Sequence, residues 1–225
     1  MKIFEYPNAK TVQIIDTLKS RNGSSEVTVV REGFVKDMVK VLDSMWGSGT
    51  GNAVLPTVDR WPGDVYIVPR PGTGNPNDPP NSEADPALLR SDIPFEPDAW
   101  YSQPNSINAV EALLHELVHS NRELSDKFSQ TPTHDSYGDI EEYFAVMVGN
   151  VYRSETLRIG LHGGHGAESL PPKQRDDAAV FLNTGENRKR LEQLKRQNGD
   201  LFKAVGEVGA KWNPFRLITS PSIKR

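Results

Sequence analysis

The sequence predicts an α+β protein, and three observations carry that prediction. The first half mixes β-branched runs with one strong helical stripe. From residue 106 onward the apolar residues recur almost entirely at helical spacing. Between these parts lies a stretch, 69–106, dense in Pro, Gly, Asn and Asp. A chain of 225 residues suits a single domain, 1–225. Residues 1–106 form its α/β part and 107–225 its mainly helical part.

Taken in order, residues 8–20 read as a short helix after Pro7, with Val12, Ile14, Ile15 and Leu18 apolar. Residues 26–31 are β-branched and read as a strand. Phe34, Val35, Met38, Val39, Val41, Leu42, Met45 and Trp46 form the stripe of a helix over 33–46. Gly47-Ser48-Gly49-Thr50-Gly51-Asn52 resembles a phosphate cradle, but no Lys-Ser/Thr follows and no strand precedes it. It reads as a flexible turn. Asp64–Val68 reads as a strand stopped by Pro69. The loop 69–106 is long for a compact domain, so it is expected to lie over a site or to be partly disordered. Helices are expected at about 107–123, 139–155, 172–183, 185–197 and 199–211, ahead of Asn213-Pro214-Phe215-Arg216.

Composition narrows the function. Net charge is -4, which disfavours nucleic acid and anionic membranes as partners, since both call for a basic face. Arg188-Lys189-Arg190 is offset by Glu186 and Glu192 and reads as a solvated helix face. The chain has no cysteine, so disulfides, thiolate-held metal and a thiol nucleophile are excluded. No apolar run approaches the roughly 18 residues needed to span a bilayer. The segment Met1–Pro7 lacks the apolar core of a secretory signal. The expected location is the cytoplasm, or outside the cell after export by a dedicated machine.

The chemistry concentrates in His115-Glu116-Leu117-Val118-His119. Ile107, Val110, Leu113, Leu114, Leu117 and Val118 make the surrounding helix broadly apolar. Histidines four apart project from one helical face and can hold one Zn²⁺. Glu116 can then take a proton from a water at the metal and pass it to a leaving amine.

A catalytic zinc needs a third protein ligand and an open position. The pattern with Gly and His at three and six residues past the second His fails, because Arg122 and Ser125 stand there. Glu141, Glu142 and Asp135 remain as candidates. The run Glu142-Tyr143-Phe144-Ala145, a Glu with a small residue three positions on, resembles the second motif of the gluzincin metallopeptidases. That resemblance covers residues 112–146. It implies a zincin-like fold, His115, His119 and Glu142 as ligands, and Glu116 as general base. Glu141 is the neighbouring alternative, and Asp135 echoes the Asp of a third subclass in Thr133-His134-Asp135-Ser136-Tyr137-Gly138. More loosely, the chain resembles short zincin domains of bacterial effectors and toxins.

The oxyanion of a tetrahedral intermediate also needs a donor. The segment Gly160-Leu161-His162-Gly163-Gly164-His165-Gly166 is the best source, with His165 chosen slightly ahead of His162. Tyr152 and Arg153 are substitutes. The expected activity is zinc-dependent hydrolysis of a protein or peptide substrate. The alternatives are a zinc hydrolase of a small amide or ester, and a catalytically silent binding protein on the same fold.

Overall fold

A computed structural model describes residues 33–60, 63–70, 89–100, 107–158, 160–164 and 168–219, and the backbone of strands at 4–5, 12–14, 17–22, 25–30 and 83–85. The fold is α+β. Strands β1 (Phe4–Glu5), β2 (Val12–Ile14), β5 (Asp64–Pro69), β6 (Glu83–Asp85) and β7 (Arg90–Phe95) form a mixed sheet in the order β1-β2-β5-β7-β6. β2, β5 and β7 run parallel, and both edge strands are antiparallel to their neighbours. β3 (Thr17–Asn22) and β4 (Ser25–Val30) make a separate antiparallel hairpin.

The helix expected over 8–20 is therefore not found. Its described part is strand, because Val12 and Ile14 are β-branched and alternate at the period of two that a sheet uses. The expectation of a continuous loop over 69–106 also fails in part. Residues 90–95 form β7, paired along its whole length with β5, and Ser91, Ile93 and Phe95 are buried on one face. Asp92 and Pro94 hide that alternation from a reading by composition. Pro94 is tolerated because the fixed backbone torsion of proline suits an extended strand. The expectation that this stretch covers a site falls largely on residues outside those described.

Helix α1 (Phe34–Trp46) buries Phe34, Met38, Val41, Leu42 and Met45, the stripe read from the sequence. Gly47–Asn52 is not a flexible turn. Ser48 caps a second helix, α2 (Gly49–Val58), by accepting a hydrogen bond from Gly51 N at 2.9 Å. Two features of this glycine-rich start have physical causes. A Cβ on Gly51 would lie 2.0 Å from Met45 O, so only glycine lets α1 and α2 approach this closely. The exposed amides of the first turn are taken by a carboxylate of the protein itself. Glu155 accepts from Gly49 N, from Thr50 N at 2.9 Å and from Thr50 Oγ1 at 2.7 Å. The resemblance to a phosphate cradle thus reflects a helix N-terminus that holds an internal anion.

Two long helices follow, α3 (Ala109–Leu124) and α4 (Ile140–Glu155). The C-terminal region adds α5 (Pro172–Asp176), α6 (Ala178–Leu182), α7 (Asn187–Gln197), α8 (Gly199–Glu207) and α9 (Pro214–Thr219). The helix expected over 172–183 is broken in two at Asp177, whose side chain caps α6 through Ala179 N at 2.7 Å. Asn213 ends the α8 segment and starts α9. Its Nδ2 donates to Val205 O at 2.8 Å, and its Oδ1 accepts from Arg216 N at 3.2 Å. One buried apolar cluster runs from Phe34 on α1 to Phe215 on α9, with α3 and α4 inside it. The sheet holds α3 through Ser91, whose Oγ lies 2.8 Å from Ser120 Oγ. Among the described residues no helix is long and apolar enough to cross a membrane.

Removing the Glu155 carboxylate leaves the Gly49 and Thr50 amides of the first turn of α2 without this acceptor. Glu155→Ala is expected to cost about 1–2 kcal/mol of unfolding free energy, read from the shift of the urea midpoint at unchanged slope.

Candidate metal centre

Two caps place the two helices that carry the site. Asn108 Oδ1 accepts from Glu111 N at 2.8 Å and starts α3. Asp139 Oδ1 accepts from Glu141 N at 2.9 Å and from Glu142 N at 3.0 Å and starts α4. Glu141 and Glu142 are therefore in the first turn of α4, where the helix dipole favours carboxylates. The helices run antiparallel, since Arg122 meets Glu141 at one end and Glu111 meets Arg153 at the other.

His115, His119 and Glu142 converge at this contact. His119 Nε2 lies 3.0 Å from His115 Nε2. The Glu142 carboxylate is 3.0 Å from His115 Nε2 and 3.6 Å from His119 Nε2. One donor atom from each residue falls within 4.8 Å of the others. A tetrahedral zinc with bonds of about 2.0–2.1 Å has donors roughly 3.3–3.4 Å apart, close to the separations of the two nitrogens from each other and from the Glu142 oxygen that each faces, Oε2 for His115 and Oε1 for His119. Two imidazole nitrogens and a carboxylate oxygen are also a donor set that first-row divalent metals accept. Residues and metal therefore fit. Burial works against charge on Glu142, but hydrogen bonds from His115 and His119 outweigh it and hold the carboxyl well below its ordinary range. The side chains are 13%, 8% and 24% exposed for His115, His119 and Glu142, so Glu142 is the most exposed of the three. Glu116, between the histidines, is buried.

The chain matches no known family model, and neither a curated protein nor a solved structure matches it significantly. The site's reading therefore rests on its own geometry.

Glu141 has a different task from Glu142. Both its oxygens accept from Arg122, through Nε and through Nη2 at 2.8 Å, and both residues are buried. Arg122 also donates to Asn198 Oδ1 at 2.7 Å and to Lys127 O at 2.6 Å. At the far end of the interface Arg153 Nε donates to Glu111 Oε1 at 2.6 Å and Arg153 Nη1 to Gly160 O at 3.1 Å. Arg153 is thus part of the frame. The sequence does not name which carboxylate pairs with which arginine. The available signal was spacing: Glu111, His115 and Arg122 recur at four and seven residues along the face of α3 that meets α4.

Asp135 is not brought to the cluster. It accepts from Arg190 Nη1 at 2.6 Å and from Tyr137 N at 3.2 Å. Burial tends to raise its carboxyl, and the hydrogen bonds from Arg190 and Tyr137 overcome that and lower it. His134 is exposed in the same loop. His162 lies with its Nε2 3.3 Å from Glu111 Oε1, and its backbone is held at both polar atoms by Asn150, at 2.7 and 2.8 Å. His165, the preferred oxyanion donor, lies outside the described residues. Tyr152 is buried, with its hydroxyl 3.4 Å from Asn108 Nδ2.

Two outcomes follow for stability. Glu141→Ala leaves the Arg122 guanidinium buried without its counter-charge, and a loss of about 3–5 kcal/mol in urea unfolding is expected. The Asp135 carboxyl is lowered in the folded state, so on acidification through the ordinary carboxylate value of about 3.9 the unfolded chain takes up its proton before the folded protein does. Its stabilising contribution is complete above the unfolded value and disappears as pH falls through the folded one. Asp135→Asn is expected to lower the urea midpoint at pH 7, with the gap to wild type narrowing as pH falls below that ordinary value.

Proposed function

We propose that the protein is a zinc-dependent peptidase with a zincin-like fold. The observation that carries this reading is the convergence of His115, His119 and Glu142 around one point, with the buried Glu116 on the turn between the histidines. A structural site has no need of a base at that position. A carboxylate beside an open metal site is the arrangement that hydrolysis requires.

Zinc held by His115, His119 and Glu142 would supply Lewis acidity that polarises the scissile carbonyl and lowers the pKa of water. Glu116 then accepts a proton from the attacking water as its oxygen bonds to the carbonyl carbon. It delivers that proton to the amine nitrogen as the C–N bond breaks, which yields a carboxylate and an amine. Its burial keeps bulk water from competing for the proton. Glu142 is the most exposed of the three, so substrate is expected to approach from its side. The frame of Arg122–Glu141 and Arg153–Glu111 holds the two helices in place throughout, so the ligands need no rearrangement to engage.

The test is metal content by elemental mass spectrometry together with cleavage of a mixed peptide library. Wild type is expected to hold one zinc per chain and to cut. His119→Ala and Glu142→Ala are expected to lose the metal, and Asp135→Ala to keep it. Glu116→Gln is expected to keep zinc and to lose turnover by on the order of 10²–10⁴-fold. A wild-type protein that takes up no zinc, or a Glu116→Gln protein that cuts as wild type does, sinks the reading.

A further inference from the structure

Phe128 is out of place by the rule the other described phenylalanines obey. Phe34, Phe95, Phe144, Phe181, Phe202 and Phe215 are fully buried, whereas Phe128 is 38% exposed. Its ring stands edge-on to His119, with centroids 6.0 Å apart and planes at 72°. An exposed aromatic beside a metal ligand loses hydrophobic free energy unless something apolar covers it.

The position is built, not incidental. α3 ends at Leu124 and the chain reverses at Asp126, which adopts a left-handed conformation with φ 55°. Lys127 N then donates to Arg122 O at 2.8 Å, and Lys127 O accepts from Arg122 Nη2 at 2.6 Å. On the other side, Ser129 N donates to Glu141 Oε1 at 2.8 Å. The residues before and after Phe128 are thus both tied to the buried Arg122–Glu141 pair. Beyond them, Ile140 N donates to Thr131 O at 3.0 Å and closes the loop onto α4. The same pair that sets Glu142 against the histidines therefore also fixes where Phe128 stands. A side chain held this firmly, half in solvent and against His119, is placed to meet whatever approaches the metal ligands.

We propose that Phe128 is a specificity-determining residue: it forms an apolar wall of the substrate site and selects peptides with a bulky apolar side chain next to the scissile bond. This rests on the peptidase reading above. The wall and the ligands move as one unit, because Arg122 and Glu141 carry both. A substrate side chain that packs on the ring removes apolar surface from water on both partners, and it brings the adjacent carbonyl toward His115, His119 and Glu142.

The test reads binding, so that it is separate from turnover. Short labelled peptides that differ at one central residue (Phe, Leu, Ala or Asp) are titrated by fluorescence anisotropy into the zinc-loaded Glu116→Gln protein. The Phe and Leu peptides are expected to bind about tenfold more tightly than the Ala peptide. Phe128→Ala in the same background is expected to abolish that difference with zinc content unchanged, and Phe128→Leu to retain it. Equal binding of all four peptides, a preference that survives Phe128→Ala, or loss of zinc in Phe128→Ala each overturns the inference; the last would make the ring a support for His119. A wild-type protein that binds apolar peptides through Phe128 but cuts none of them overturns the peptidase reading, and with it the selection at a scissile bond, while the apolar wall for a bound peptide stands.

Discussion

The buried ion pair between Arg122 and Glu141 is the constraint on which the site depends. Both side chains are withdrawn from water, at 0% and 1% exposure. Desolvating two charges is costly, and their attraction compensates only when the remaining donors and acceptors are also satisfied. Here they are. Arg122 Nε and Nη2 reach Glu141, Nη1 reaches Asn198, and Nη2 further reaches Lys127 O and Gln197. The guanidinium also sits 4.7 Å from the centre of the Phe144 ring. The pair therefore joins α3, α4, the loop between them and the start of α8. Glu142 is the next residue after Glu141, so its position relative to His115 and His119 follows from this clamp.

The interface between α3 and α4 is a polar seam inside an apolar core. Arg122–Glu141 closes one end, the His115, His119 and Glu142 cluster occupies the middle, and Glu111–Arg153 closes the other. Small residues follow Glu142 along its face of α4: Ala145 is fully buried, and a Cβ on Gly149 would meet the Glu111 side chain at 3.6 Å, an ordinary van der Waals distance. Around this seam Leu113, Leu114, Leu117, Phe144 and Val148 exclude water. An ionic pair on each side of the ligand set resists sliding of one helix along the other. Such sliding would move Glu142 away from the histidines by about 1.5 Å for each residue of slip.

Much of this is legible in the sequence, and the limits have physical causes. α1, α3 and α4 announce themselves because each buries a wide stripe at helical spacing. The mixed first half and helical second half are likewise found as read. α2 is hidden because Gly49, Gly51 and Pro56 are poor helix formers. Its stability comes from the Glu155 carboxylate, more than a hundred residues away, and from the contact at Gly51 that needs glycine. β7 is hidden by Asp92 and Pro94, whose strand conformation is decided by pairing with β5. In the candidate site, the meeting of His115 with His119 follows from spacing alone. The framing ion pairs do not, since a buried and a solvated carboxylate are spelled the same way.

The choice between adjacent glutamates shows what tertiary structure adds. Successive residues on a helix point about 100° apart, so Glu141 and Glu142 cannot serve the same partner. Which of them faces the histidines depends on what α3 offers opposite each. Arg122 lies one turn beyond His119, so an arginine and a histidine are stacked on the same face of α3. The guanidinium, with its fork of donors and a charge independent of pH, takes the carboxylate that is fully buried. The imidazoles take the neighbour that remains partly exposed. The arginine that breaks one familiar zinc pattern, by standing where that pattern has glycine, is thus the residue that takes Glu141 and leaves Glu142 to the histidines.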